Sequence, residues 1–199
     1  MRAFATTADT TLVNAVWPAR GSRFGVVVRS VILAVVGSLL LAISAKINVP
    51  MWPVPMTMQT FVVAVIGMAY GWRLGGATLL LYLAEGAMGL PVFATGSGLV
   101  YMSGPTGGYL VGFLVAAVFL GWTAERGWDR TVLHTAAAMT IGTALIFILG
   151  VGWLAVFLGN LDKALASGLY PFIAGGIVKI ALATLLMPLC WTLLSRFGR

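Results

Sequence analysis

Between Arg29 and Lys46 the chain runs from Ser30 to Ala45 without one charged residue. Similar apolar stretches recur over about 56–71, 75–90, 109–123, 133–158 and 171–194, and between them they occupy most of the 199 residues. Such stretches are long enough to cross a bilayer as helices. They also leave too little polar sequence to cover a soluble domain. Charged residues make up 9% of the chain, against about 25% in an ordinary globular protein. Hydrophobic residues make up 60% and the mean hydropathy is +1.02. The 25 glycines fit membrane helices, which tolerate Gly better than soluble ones do. The reading is an all-α integral membrane protein of six spans, and a soluble enzyme is excluded.

The connections support that division. Residues 1–22 are polar and mixed, with Arg2, Asp9 and Arg20, and are expected to form a flexible cytosolic arm ahead of one six-helix domain over 23–199. They lack the short apolar run and small-residue cleavage site of a signal peptide. The first span is expected from Phe24 to Lys46, with Arg29 snorkelling to the near interface. Pro50, Pro53 and Pro55 then break the helix, so 48–55 is expected to be an external loop folded over the bundle. The segment 71–75 is a short turn between the second and third spans. The Gly-rich segment 89–108 is apolar for a loop and is expected to re-enter the bundle in part.

The formal charge of +7 reports orientation. The basic residues stand singly, with no stripe suited to nucleic acid. With six spans, Arg20, Arg23, Arg29, Arg73, Arg126, Arg130, Arg196 and Arg199 fall on the side of the termini, and Lys46 and Lys163 fall opposite. Both termini are therefore expected to be cytoplasmic.

Motifs of soluble chemistry are missing. The sequence contains no phosphate-binding glycine loop, no zinc-protease helix and no Ser or Cys nucleophile paired with a His. Cys190 has no disulfide partner in the chain, and the isolated His134 reads as an interface residue and not a metal ligand. No metal, no cofactor and no enzymatic activity are expected. A chain that moves a solute must then use a gradient or borrow an ATPase.

Ionisable groups inside spans are the first functional candidates. Lys179 lies in the sixth span with Phe172, Gly175, Gly176, Ala183 and Leu186 on its face, and is read either as an anion anchor or as a snorkelling lysine. Glu85 lies in the third span beside Tyr82 and Gly89, either in a site or near the external interface. Ala34, Ser38 and Ala42 form a strip of small residues at four-residue spacing, suited to a partner helix or to internal packing. Trp153 is either a stacking wall or ordinary packing.

Three segments in order, Val54-Pro-Met-Thr-Met-Gln-Thr60, Gly86-Ala-Met-Gly-Leu-Pro-Val-Phe-Ala94 and Gly104-Pro-Thr-Gly-Gly-Tyr-Leu110, resemble the BioY family, the biotin-binding S components of energy-coupling-factor vitamin transporters. Pro171-Phe-Ile-Ala-Gly-Gly-Ile-Val-Lys179 is similar to the family's Pro-Phe-x-x-Gly-Asp-x-x-Lys pattern, with Gly176 standing where the family carries Asp. The resemblance implies a six-helix S-component bundle in the bacterial plasma membrane. It also implies one biotin bound beneath the first external loop, and a transmembrane coupling subunit driven by two cytoplasmic ATPase subunits. The strip Ala34, Ser38 and Ala42 would then face the coupling subunit.

Biotin presents a carboxylate, two ureido N–H donors, a ureido carbonyl and an apolar bicyclic ring, so its site needs a cation, acceptors and aromatic walls. Lys179 is suited to the anion. Gln59, Tyr82, Glu85 and Thr106 are candidate polar partners, and the backbone amides of Gly104 to Gly108 are candidate donors. Trp52, Phe93, Tyr109 and Trp153 are candidate walls. The acceptor missing at Gly176 is expected to be replaced by Glu85, fixed by Tyr82, with Gln59 as the neutral competitor. A stand-alone biotin carrier is the alternative, although no internal repeat of the kind common in such carriers is visible.

Overall fold

The computed structural model describes residues 11–19 and 21–197. Its elements are helix α1 (Leu12–Val16), α2 (Arg23–Lys46), strands β1 (Asn48–Val49) and β2 (Met56–Thr57), and helices α3 (Gln59–Ala87), α4 (Gly98–Met102), α5 (Gly107–Ala124), α6 (Val132–Leu158), α7 (Leu161–Gly168) and α8 (Phe172–Phe197). Five of these, α2, α3, α5, α6 and α8, are long and apolar enough to cross a membrane. The chain is a multi-pass helical bundle.

The helix α3 spans the two segments expected as separate spans, and it does not run straight. Gly71 sits inside it at φ 82° and ψ 170°, far from helical values. The Gln59 side chain nevertheless donates to the Tyr82 hydroxyl at 2.7 Å. On a straight helix residues 59 and 82 would be about 35 Å apart. The helix therefore folds back at Gly71, and residues 59–70 and 72–87 lie side by side. The turn needs one residue, not the five allotted to it over 71–75. Only Gly adopts this φ without strain, and a Cβ there would also press on the side chains of Glu125 and Thr11. The Trp72 N–H donates to Glu125 Oε1 at 3.2 Å and ties the turn to the end of α5.

Helix α5 is the centre of the bundle, packed between α3 and α6. Most of its residues are buried, among them Leu110, Phe113, Ala116, Ala117 and Leu120. Helix α2 begins at Ser22, whose hydroxyl accepts from the Gly25 N–H at 3.2 Å. One face of α2, with Gly37, Ser38, Leu41 and Ala45, is buried, and the other presents Val31, Val35 and Leu39 outward. In lipid, apolar burial alone does not drive helices together, so close backbone approach and hydrogen bonds must. Gly37 illustrates the first: a Cβ there would lie 2.6 Å from Thr78 Cγ2.

Two expectations are corrected at the N-terminal end. Arg29 does not snorkel outward. It is 6% exposed, and its Nη2 donates to the Val13 carbonyl at 3.2 Å and to Asn14 Oδ1 at 2.9 Å. These bonds hold α1 on the bundle. Of the segment read as an arm, residues 11–19 thus carry a docked helix, with Thr11 buried, while residues 1–10 and 20 lie outside the described residues.

Between α2 and α3, β1 and β2 pair antiparallel as Asn48↔Thr57 and Val49↔Met56. They close the proline-rich loop and turn Val54 inward, while Trp52 is left 86% exposed.

Candidate functional site

A pocket lies where this β-ladder, the start of α3, the 88–106 connection, and helices α5, α6 and α8 converge. Its walls include Thr57, Gln59, Phe93, Tyr101, Thr106, Tyr109, Phe147, Phe172, Gly176 and Lys179. Hydrogen bonds and ring contacts hold most of these walls in place.

Gln59 opens α3 and is almost fully buried. The Thr57 hydroxyl donates to its Oε1 at 3.2 Å, and its Nε2 donates to Tyr82 Oη at 2.7 Å. The Tyr82 hydroxyl in turn donates to the Val92 carbonyl at 3.0 Å. This relay ties the first loop, both halves of α3 and the 88–97 connection together behind the cavity wall. Phe93 is fully buried, edge-on to Tyr82 at 5.5 Å and stacked on Tyr101 at 5.1 Å. The Lys46 ammonium donates to the Phe93 carbonyl at 2.6 Å, anchoring the same loop to the end of α2.

A second aromatic group also lines the pocket. Tyr109 lies 6.4 Å from both Phe147 and Phe172, and those two rings are 6.1 Å apart. The Tyr109 hydroxyl donates to the Gly168 carbonyl at 2.8 Å, which pins the ring beneath α7. The cation is Lys179, whose Nζ donates to the Thr57 carbonyl at 2.5 Å. One turn before it, Gly176 faces open space, since a Cβ there would meet nothing within 4 Å. The arrangement can enclose a flat apolar ring between two aromatic groups while offering an ammonium, an amide and hydroxyls to its polar edges.

The structure brings five of the expected site residues to the wall: Gln59, Phe93, Thr106, Tyr109 and Lys179. Tyr82 stands behind Gln59. The other candidates lie elsewhere, and each is a correction. Glu85 accepts a short hydrogen bond from the Ser38 hydroxyl on the far side of α3 and does not line the pocket. It cannot stand in for the carboxylate missing at Gly176. Gly104 and Trp153 also lie outside: the Trp153 indole N–H donates to the Gly104 carbonyl at 2.8 Å. The Gly104 and Gly107 amides donate to the carbonyls of Tyr101 and Gly104, so they are not free for a ligand. Trp52 points away. The small-residue strip turns inward too. Ser38 is 1% exposed and bonded to Glu85, Ala42 packs on the core, and Ala34 is half-buried, so Ser38 serves the contact with the chain's own α3.

Other wall residues, among them Thr57, Tyr101, Thr143 and Phe147, were not individual candidates. Thr57 lies inside the 54–60 segment, and its carbonyl, like the Thr143 side chain, carries no periodic signal. Tyr101 stands three residues before the Gly104-Pro-Thr106 element, and that proximity is the available clue. Phe147 looked like any phenylalanine in an apolar helix.

The sequence pattern of the BioY family matches residues 11–196, nearly the whole chain. The chain belongs to the BioY family. Among curated relatives, the probable biotin transporter BioY of Pyrococcus horikoshii is 38% identical over 148 residues, covering 74% of this chain and 86% of that protein. The biotin transporter BioY of Thermotoga maritima is 35% identical, covering 79% and 93%. The biotin transporter BioY of Rhizobium etli is 36% identical, covering 67% and 76%. Among solved structures, the S-component for biotin from an ECF-type ABC transporter superposes with a TM-score of 0.70, at 22% identity, over 85% of this chain and 93% of that one. The fold is thus shared with an S component, and the family pattern runs through all the elements that build the pocket.

Proposed function

We propose that this BioY-family chain is the substrate-binding membrane subunit of a biotin uptake transporter. The observation that carries the reading is Lys179. It is an ammonium carried by an apolar helix, on a pocket wall that it shares with the two aromatic groups, Gln59 and Thr106. A cation so placed is suited to biotin's carboxylate or another electronegative atom of the ligand, and the aromatic groups are suited to its bicyclic ring. The named activity of the curated relatives supports the substrate.

The pocket lies at the end of the bundle formed by residues 48–57, 88–106 and 161–171. With α3 counted as two spans, the chain crosses six times, and the arginine bias places both termini in the cytoplasm and the pocket on the outer side of the bacterial plasma membrane. A transmembrane coupling subunit and two cytoplasmic ATPases, the partners that the family resemblance implies, would supply the energy, and a structural neighbour that is an S-component from an ECF-type ABC transporter supports this. The subunit itself then needs no metal or cofactor, and does no covalent chemistry.

Equilibrium titration of the purified chain with labelled biotin tests the reading. Saturable binding at one site, weakened in Lys179→Met, is expected. No binding to a folded chain overturns it. Uptake in reconstituted vesicles that requires ATP and the partner subunits supports the assembly, and uptake by the chain alone makes it a stand-alone carrier.

A further inference from the structure

Away from the pocket, a second concavity opens on the side of the bundle where the Gly71 turn, α5 and α6 meet. It is lined by Trp72, Leu114, Val115, Val118, Trp122 and Leu145. Apart from the indole N–H groups of the two tryptophans these side chains carry no polar atom, so the floor offers little to a polar solute or to ordered water. Phe119 also lines it and stacks on Trp122 at 6.3 Å, which helps fix the wall.

The rim is different. The Arg73 guanidinium lies 5.0 Å from the centre of the Trp72 ring, and that of Arg126 lies 3.7 Å from the centre of the Trp122 ring. Both arginines are exposed, and neither forms an ion pair with a carboxylate among the described residues. Arg126 spends one N–H on the Trp122 carbonyl, at 2.9 Å. The carboxylate nearest in sequence, Glu125, is already engaged by the Trp72 N–H and turned toward Gly71. Two guanidinium groups thus stand at one end of an apolar groove, each braced on a tryptophan that forms part of its wall. That juxtaposition is amphipathic in the same sense as a phospholipid.

We propose that this groove binds one anionic phospholipid, with an acyl chain along Leu114, Val115, Val118 and Leu145 and the phosphate headgroup between Arg73 and Arg126. Charge complementarity selects the occupant. Any lipid tail can lie on the floor, but a net negative headgroup gains most from two arginines that form no ion pair among the described residues. The arginine–tryptophan stacks hold the guanidinium planes in place and lower the entropy lost when phosphate binds.

Native mass spectrometry of the detergent-purified chain, titrated with phosphatidylglycerol and with phosphatidylethanolamine of identical acyl chains, tests this. One phosphatidylglycerol is expected to bind preferentially. The R73Q/R126Q double variant should lose about five- to thirtyfold in phosphatidylglycerol affinity and approach the phosphatidylethanolamine value. R73K/R126K should keep most of the preference, and Val115→Trp should weaken both lipids by filling the floor. Biotin titration of every variant reports folding independently, because none of these residues touches the pocket. Equal affinity of the native chain for the two lipids overturns the proposal, as expected if the groove instead receives a partner helix. So does a folded R73Q/R126Q variant that keeps the native preference. If that variant does not fold, the headgroup preference of the native chain and the Val115→Trp result decide.

Discussion

Two cations sit inside apolar helices of this bundle, Arg29 on α2 and Lys179 on α8, and they are held in opposite ways. Arg29 is closed in. Two bonds reach α1, the Trp17 ring lies 5.8 Å from its guanidinium, and it is not among the residues that line the pocket, although its Nε is buried without a hydrogen-bond partner among the described residues. Lys179 has one backbone acceptor, Thr57, and an open wall beside it at Gly176. A buried charge is costly unless paired, so both need partners. Arg29 finds them on α1 for its Nη2 alone, and Lys179, on the pocket wall, is left with capacity for a ligand. What separates a structural cation from a binding one is the space around it, and residue type in a helix does not report that space.

The largest effect should come from Lys179. A hydrogen bond to a charged group contributes about 1.5–3 kcal/mol, so Lys179→Met should weaken biotin binding about 10- to 150-fold, read by equilibrium titration. Unchanged affinity would erase the contrast with Arg29. The mirror variant, Arg29→Met, should leave biotin affinity within about twofold and release α1. The loss of its charged hydrogen bonds, about 1.5 kcal/mol at the lower end, should raise amide exchange in 12–16 by about tenfold. If biotin affinity fell as well, the two ends of the bundle would be coupled.

These two cations also show how far the sequence could be read. Spans, loop positions and the pocket face of α8 followed from hydrophobic runs, prolines and the spacing of Gly176 and Lys179. The fold-back at Gly71 was foreseen as a turn because arginine and glycines interrupt an apolar run there. What failed were statements about which way a side chain faces. Glu85 and Ser38 each looked functional alone, and no periodicity in either helix could show that they face each other across α2 and α3. Arg29 looked like an interface arginine because α1, its partner, lies in a stretch with no apolar run long enough to notice. Spacing gives the face of a helix, and only packing tells what that face meets.

Gly176→Asp sharpens the contrast from the other direction. The site has room for the added side chain, and a carboxylate there would lie one turn from Lys179 and within the pocket wall. A new acceptor for a ureido N–H should contribute about 1 kcal/mol, tightening biotin binding about fivefold. Weaker or unchanged binding would mean that the carboxylate pairs with Lys179 and never reaches the ligand.

A smaller effect is expected from Asp129, in the connection between α5 and α6. It is fully buried, accepts from the Trp191 indole N–H at 2.6 Å through Oδ2, and leaves Oδ1 without a partner. Burial raises its pKa above the usual carboxylate range, while the Trp191 bond, its own backbone N–H and Arg130 oppose the rise. Folding therefore favours the protonated form. Its contribution to stability is complete below the ordinary value, about 3.9, and is lost as pH rises through the raised folded value. Asp129→Asn keeps an acceptor for Trp191 and removes the titration. From acid toward neutral pH, thermal unfolding should show the native chain losing stability relative to this variant. Parallel curves would mean that Arg130 fully compensates the charge.

The smallest effect is expected at Glu85, and it tests whether the pocket is bounded where its walls place it. Glu85 shares α3 with Gln59 and Tyr82 and lies three residues from Tyr82, so by spacing alone it belongs with them. Its carboxylate is turned to Ser38 on α2, and the Tyr82 hydroxyl is turned to Gln59 and Val92. The two residues therefore serve different interfaces of one helix. Glu85→Gln keeps an acceptor oxygen for the Ser38 hydroxyl at nearly the same volume, so the α2–α3 contact should survive. Gln59→Leu, by contrast, breaks the relay and exposes a hydrophobic side chain to the ligand. Biotin affinity should change less than about twofold in Glu85→Gln and fall by about five- to thirtyfold in Gln59→Leu, the cost of one or two unsatisfied polar groups at about 1 kcal/mol each. A tenfold loss in Glu85→Gln would place its carboxylate in the site after all. The contrast would then lie between two carboxylate positions, Gly176 and Glu85, instead of two cations.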